Sequence, residues 1–288
     1  MWVFRGLRNG VVTTRWPRRP DRYFTDWHGV ATIRDHPSLP PGDIEGLAEL
    51  CPTGAIHTAP GNGGPDDEQP GRRVGVDQGR CIGCGRCIQA RPDLFAWSAG
   101  AGVAALARQA LVVPAVAETD ETLAELRDDL RTRVRALGRS VHVRHLDVGS
   151  DGSDEWEVLA LLNPVYDVHR LGIFFTATPR HADILLVTGA GARGMAAPLR
   201  RTYQGMPDPK VVIAAGTDAV SGGLTAPSYA IAGGVGGLVP VDVWVPGSPP
   251  SPFSVLHAIL LALGRLPGPP GRRRRTDKTG KTGKEPRP

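Results

Sequence analysis

The chain has 288 residues, a hydrophobic content of 41% and a formal charge of +5, enough for about two domains with a real core and too apolar for a disordered chain. The charge sits at one end: residues 271–288 hold eight Lys and Arg against Asp277 and Glu285, so the body is close to neutral, and a Gly/Thr/Lys tail without interleaved aromatics argues against nucleic acid. No apolar run approaches the ~20 residues of a membrane span, and the first residues lack the apolar core of a signal peptide, so a cytoplasmic location is expected.

In chain order, residues 1–99 hold all four cysteines and read as two short strand-plus-loop units rich in Pro and Gly. Residues 100–122 are Ala- and Val-rich, a linker or a single docking helix. Residues 123–265 follow a charged amphipathic helix at 120–137 with alternating strands and helices. V-H-V-R-H-L-D-V, I-L-L-V-T-G, K-V-V-I-A-A-G and V-D-V-W-V-P-G read as strands, M-A-A-P-L-R-R-T-Y and F-S-V-L-H-A-I-L-L-A-L as helices. Short, nearly continuous apolar strands between helices predict a parallel sheet covered on both faces. Chemistry then gathers at the carboxyl ends of the strands, in the loops after Val148, Val187, Ala215 and Val245. Residues 266–288 read as a disordered basic tail that can touch anionic lipid.

C-I-G-C-G-R-C places Cys81, Cys84 and Cys87 on one Gly-containing loop. Thiolates at this spacing can wrap three corners of an iron–sulfur cube, and Cys51, followed by Pro52, is the one cysteine left for the fourth. A four-thiolate zinc site and a disulfide framework are the alternatives. No catalytic residue is expected. G-x-S-x-G is absent, V-T-G-A-G-A-R-G lacks the Lys-Ser/Thr of a phosphate loop and reads as a βα turn, and His142, His145, His169 and His257 show no metal spacing.

Met1–Phe95 resembles a two-cluster bacterial ferredoxin from which one cluster is deleted. Laid over C-x-x-C-x-x-C-x-x-x-C-P, the missing ligand positions fall on Pro41, Ile44, Leu47 and, in the second half, Arg91. Residues 138–265 carry G-R-S-V-H-V-R-H-L-D-V-G-S, L-N-P-V-Y-D-V-H-R-L-G-I-F-F-T-A-T-P-R-H-A-D-I-L-L-V-T-G, R-T-Y-Q-G-M-P-D-P-K-V-V-I-A-A-G and V-P-V-D-V-W-V-P-G-S-P-P. These phrases are similar to the small cluster-bearing subunit of NADH:quinone oxidoreductase (complex I) and of group 4 [NiFe] hydrogenases. R-N-G-V-V-T-T-R-W-P near the start resembles the ferredoxin subunit of the same complexes, so the chain reads as a fusion of two neighbouring subunits.

The resemblance implies an α/β protein with a ferredoxin-like α+β iron–sulfur domain at 1–99 and a flavodoxin-like domain with a parallel sheet at 123–265. It implies one [4Fe-4S] cluster on Cys51, Cys81, Cys84 and Cys87. In the family the second domain also holds a cluster, but its ligand positions here are Asp151, Asp154, Asp218 and Ser248. The loop is expected to be empty, polar and hydrated, with a hard cation as the alternative, and burial of the carboxylates together would raise at least one pKa. Arg180, His181 and Asp183 match a family phrase near the cluster; a packed strand-entry turn is the competing reading.

The implied function is an electron-transfer subunit of a membrane-associated complex I-like or hydrogenase-like oxidoreductase, itself non-catalytic and peripheral on the cytoplasmic face of the membrane. Its partners would be a large catalytic-type subunit and membrane subunits, with no nucleic acid. The rival reading is a structural or regulatory subunit whose cluster only stabilises the fold.

Overall fold

Helix α1 (Trp2–Asn9) opens the chain, and the N-terminal half then runs β1 (His28–Ile33), α2 (Pro41–Leu50), β2 (Ile56–Ala59), β3 (Arg73–Asp77), α3 (Arg86–Ala90) and β4 (Phe95–Ala99). The computed structural model describes residues 2–34, 39, 41–59, 73–114, 120–138 and 140–266; the basic tail falls outside the described residues from position 267 on. The half is a strand–helix–strand unit made twice. β1 pairs antiparallel with β4, and β2 with β3, so each unit gives one strand to each pair.

The core under these strands is built from Ile33, Ile44, Leu47, Ile56, Val76 and Phe95. Two of these residues stand at absent ligand positions: Ile44 is 1% and Leu47 8% exposed. Burying one such side chain contributes about 1.5–3 kcal/mol. Helix α2 is continuous and turns Ile44 and Leu47 to the core. At the position in the second unit, Arg91 makes a two-pronged ion pair with Asp93, at 2.9 and 2.7 Å.

Among the described residues 100–114 there is no α-helix, only a single turn of 3-10 helix at Gln109–Leu111. The stretch is fastened at several points. Ala105 exchanges both backbone hydrogen bonds with Trp244 at 2.9 and 2.8 Å. Arg108 grips the Asp77 carboxylate with two bonds of 2.8 Å, and β5 (Val112–Val113) adds antiparallel to β3. Its alanines and valines pack into surfaces of both halves, so their hydrophobic content reflects that burial.

The C-terminal half consists of α4 (Asp120–Val134), β6 (Val141–Asp147), α5 (Ser153–Ala160), β7 (Ile173–Phe175), β8 (Ile184–Thr188), α6 (Ala196–Gln204), β9 (Val211–Ala215), α7 (Thr217–Ser221), β10 (Val243–Val245) and α8 (Pro252–Ala262). Its five strands are all parallel, in the order β7-β6-β8-β9-β10. That is the flavodoxin-like order, and the crevice of such a sheet opens where the order reverses, between β6 and β8. β8 and β9 are buried at every position, as central parallel strands covered on both faces must be. α8 starts cleanly because Ser251 accepts from the Ser254 N–H and Pro252 takes the first turn, where its missing N–H costs nothing. It covers one face with Val255, Leu256 and Ile259, while Leu199 of α6 belongs to the core on the other. β7 was not expected: it is three residues long and pairs only with β6.

Candidate functional site

Cys51 follows the end of α2, Cys81 and Cys84 lie on the loop between β3 and α3, and Cys87 sits on α3. The loop is shaped by Asp77, whose carboxylate accepts from the Gly79 N–H at 2.9 Å. Gly83 and Gly85 then take φ values of +68° and +72°, a conformation that residues with a Cβ adopt only at a cost. All four thiols line one pocket, closed by Ala31, Ala55, Ile56 and Val76. None is in a disulfide. Backbone N–H groups point at the sulfurs: Ala55 donates to Cys51 Sγ at 3.3 Å and Ala31 to Cys81 Sγ at 3.5 Å.

The electrostatics of the pocket follow from this packing. Burial pushes the Cys87 thiol up to about 11, with Cys81, Cys51 and Cys84 adding repulsion. Cys81 is raised by burial against the pull of the Ala31 and Gly83 N–H groups. Cys51 is also opposed by burial, yet lies below the ordinary thiol value because the Thr53 hydroxyl and the N–H groups of Thr53, Ala55 and Ile56 favour its thiolate. Four thiolates in a low-dielectric pocket repel one another, and a bound iron centre relieves that repulsion. The donor set suits an iron–sulfur cube: four soft ligands, an apolar wall and N–H groups directed at sulfur.

This pocket lies against the second half of the chain. The Thr217 hydroxyl, at the start of α7, donates to the Cys81 carbonyl at 2.9 Å and accepts from the Gly247 N–H at 3.2 Å. A Cβ on Gly79 would stand 2.8 Å from Val220. No sequence pattern marks Thr217 except its place beside Asp218.

The loops expected at the carboxyl edge of the sheet do converge in their backbones. Gly216 N–H donates to Val245 C=O at 2.9 Å and Thr217 N–H to Gly247 C=O at 2.7 Å. A Cβ on Gly189 would lie 2.7 Å from the Gly149–Ser150 peptide. Their side chains behave differently from one another. Asp151 is exposed and turns back on α5, accepting from the Ser153 N–H at 2.9 Å and the Ser153 hydroxyl at 2.6 Å. Asp154 is 3% exposed, packs on Gly216 and leaves Oδ2 with no partner. Burial pushes its carboxyl up to about 8, with repulsion from Asp218, Glu155 and Asp151 behind it. Asp218 is raised by burial and by Asp151 and Glu155. Ser248 is exposed and lines a different cavity, with Trp97, Ile82 and Gly83 of the N-terminal half.

Asp154 is thus buried where its neighbour Asp151 is exposed, and its carboxyl is raised to about 8. Among the described residues no three His, Cys, Asp or Glu side chains are placed to hold a single metal ion. Glu155 takes hydroxyl hydrogen bonds from Ser150 and Thr188, and His145 Nε2 lies 3.0 Å from Thr188 Oγ1. Arg180 and His181 are exposed on a turn capped by Thr178, while Asp183 accepts from the His142 N–H at 2.7 Å. That trio is a strand-entry turn. V-T-G-A-G-A-R-G runs from the end of β8 into the turn before α6, the expected βα connection.

Residues 152–262 match the family of the NADH ubiquinone oxidoreductase 20 kDa subunit, and residues 74–136 match a 4Fe-4S single cluster domain. Formate hydrogenlyase subunit 7 of Escherichia coli is 40% identical over 159 residues, which cover 55% of this chain and 61% of that protein. The chain thus spans less than two thirds of that relative's length. A Pyrococcus furiosus protein named "Probable membrane-bound hydrogenase subunit" is 41% identical over 130 residues, 45% of this chain and 78% of the relative. A chain of the archaeal membrane-bound sulfane sulfur reductase aligns with a TM-score of 0.41 and 28% identity, covering 46% of this chain and 73% of that one.

Proposed function

Because the chain belongs to the family of the NADH ubiquinone oxidoreductase 20 kDa subunit, we propose that it is an electron-transfer subunit of a complex I-like or hydrogenase-like oxidoreductase and carries one [4Fe-4S] cluster on Cys51, Cys81, Cys84 and Cys87. The observation that carries this reading is the gathering of every cysteine of the chain around one pocket. Three closely spaced cysteines with one distant partner suit a cube better than tetrahedral zinc, which favours paired C-x2-C knuckles. When bound, the cluster supplies one-electron transfer. The chain's own part is to hold four thiolates, direct N–H groups at them, keep water out with Ala31, Ile56 and Val76, and fix the loop to the second half through Thr217.

Its partners are a large catalytic-type subunit and membrane subunits, and its place is peripheral, on the cytoplasmic face. In support, no helix among the described residues is long and apolar enough to cross a membrane, and the relatives' names are those of hydrogenlyase and membrane-bound hydrogenase subunits. An apolar strip on and after α5 supports a docked subunit: Trp156, Leu159 and Leu162 are 72%, 55% and 42% exposed, and exposed clusters of this kind mark interaction surfaces.

One observation favours the structural or regulatory reading. The positions that would hold a second cluster are carboxylates and a hydroxyl, so no relay follows the first cluster within the chain. A redox titration of the intact complex separates the two. A reversible signal from this cluster that responds to the complex's own electron donor supports transfer; a cluster that stays in one state while the rest of the complex is reduced and reoxidised supports the structural role.

A further inference from the structure

Residues 2–19 take no part in the pocket or the sheet. On α1, Val3, Phe4 and Leu7 are 71%, 77% and 75% exposed, and Val11, just beyond it, is 89% exposed. At about 100° per residue the first three fall within a third of the helix circumference, with Arg8 and Arg5 following on around it. Beyond Gly10 the chain forms one wall of a cleft of about 840 Å³. Arg15, Arg18 and Arg19 line it from this segment, and Arg170 and Arg265 from the C-terminal half. No Asp or Glu lines the cleft.

Among the described residues none of the five belongs to an ion pair. Arg170 is held by the Trp16 and Tyr166 carbonyls at 2.6 and 3.2 Å. Arg265 is held by the Leu171 and Gly138 carbonyls at 3.0 and 2.6 Å. Neutral carbonyls fix the guanidinium groups without cancelling their charge. Burial pulls Arg170 below its ordinary value, Arg18 adds to that, and Asp167 opposes it. Concentrated positive charge beside low-dielectric walls is a trap for anions.

A free phosphate or a nucleotide would use the cleft and leave the apolar side of α1 unexplained. A bilayer with anionic headgroups uses both, since an interfacial helix buries apolar side chains at the acyl boundary while basic groups meet the phosphates. We propose that α1 and the arginine cleft form a docking surface for an anionic phospholipid bilayer, with Val3, Phe4 and Leu7 entering the acyl boundary and the arginines taking the lipid phosphates. The proposal rests on the peripheral-membrane part of the proposed function and is independent of the cluster.

The experiment is flotation of the intact, iron-loaded chain with vesicles of phosphatidylcholine alone or with about 30% phosphatidylglycerol. The wild type is expected to bind the anionic vesicles at least about tenfold more tightly. Phe4→Glu with Leu7→Glu, and separately Arg15→Gln with Arg18→Gln and Arg19→Gln, should each lose about tenfold in affinity with iron content and melting temperature unchanged. Gln at all of Arg272, Arg273, Arg274 and Arg275 should leave binding at about 0.5 M salt unaltered, because screening removes a purely electrostatic contribution from the tail and not the apolar one. Equal binding to both vesicles, wild-type binding by the Phe4/Leu7 variant, full loss on neutralising the tail, or displacement by inorganic phosphate would each overturn the proposal. Iron content is read on the same samples, so loss of the cluster reading would show there and leave the vesicle result standing.

Discussion

Asp154 is the residue whose chemistry departs furthest from its type. Its carboxyl is raised from 3.8 to about 8 by burial first and by Asp218 second, so the folded protein holds a proton there that the unfolded chain releases above about pH 4. The sign follows: at low pH the acid costs nothing, and as pH rises from about 4 to 8 stability falls by up to about 1.4 kcal/mol per pH unit. Asp154→Asn removes the titration. Denaturant unfolding should show the variant more stable than the wild type at pH 8 and equal to it near pH 4; a gain independent of pH would mean that Asp154 is ionised in the native state. Thr217 gives a second residue-scale expectation. Thr217→Val keeps the shape but leaves the Cys81 carbonyl and the Gly247 N–H without their partner, a cost of about 1–3 kcal/mol for a buried group. Unfolding midpoints should fall accordingly with iron content retained, whereas no change in midpoint would mean that the hydroxyl does not join the two halves.

At the scale of elements, the loops at the carboxyl edge of the sheet meet in their backbones while their side chains diverge in part. Gly216, Thr217 and Gly247 still tie α7 to the loop after β10, yet Asp151 folds back onto α5 and Ser248 lines another cavity. Changing Asp151, Asp154, Asp218 and Ser248 to Cys together and reconstituting with iron and sulfide should therefore add no second centre to correctly folded protein. A gain of four further irons would show that the loops remain a cluster scaffold. The regular elements were legible where a single physical rule governs them. β8 and β9 are continuous apolar runs because both faces are covered, and α8 is legible in the apolar run F-S-V-L-H-A-I-L-L-A-L. β7 was missed because three residues paired on one side carry no periodicity. Over 100–114 the sequence leaves a linker and a docking helix both open, because alanines and valines suit either and the contacts with Asp77 and Trp244 are distant in sequence. Asp154 looked like its solvated neighbours, since nothing in D-G-S-D-E shows which of two aspartates Gly216 will cover.

Over the whole molecule, a half with the Ile44 and Leu47 core is fastened to a half built on the five-stranded parallel sheet. What holds the two together is local: the Thr217 bond to Cys81, the Ala105–Trp244 pair and the Arg108–Asp77 bridge. None of these could be read from composition or spacing, whereas the cysteine pattern could, because metal ligation imposes a strict interval on the chain. Replacing any one of Cys51, Cys81, Cys84 or Cys87 by Ala should lose most of the iron and destabilise the N-terminal half, whose core is small. The central claim, one cube on these four thiols and none elsewhere, is tested most directly by measuring iron and acid-labile sulfide in anaerobically purified protein. The account expects about four of each per chain; about eight of each, or zinc without sulfide, would contradict it.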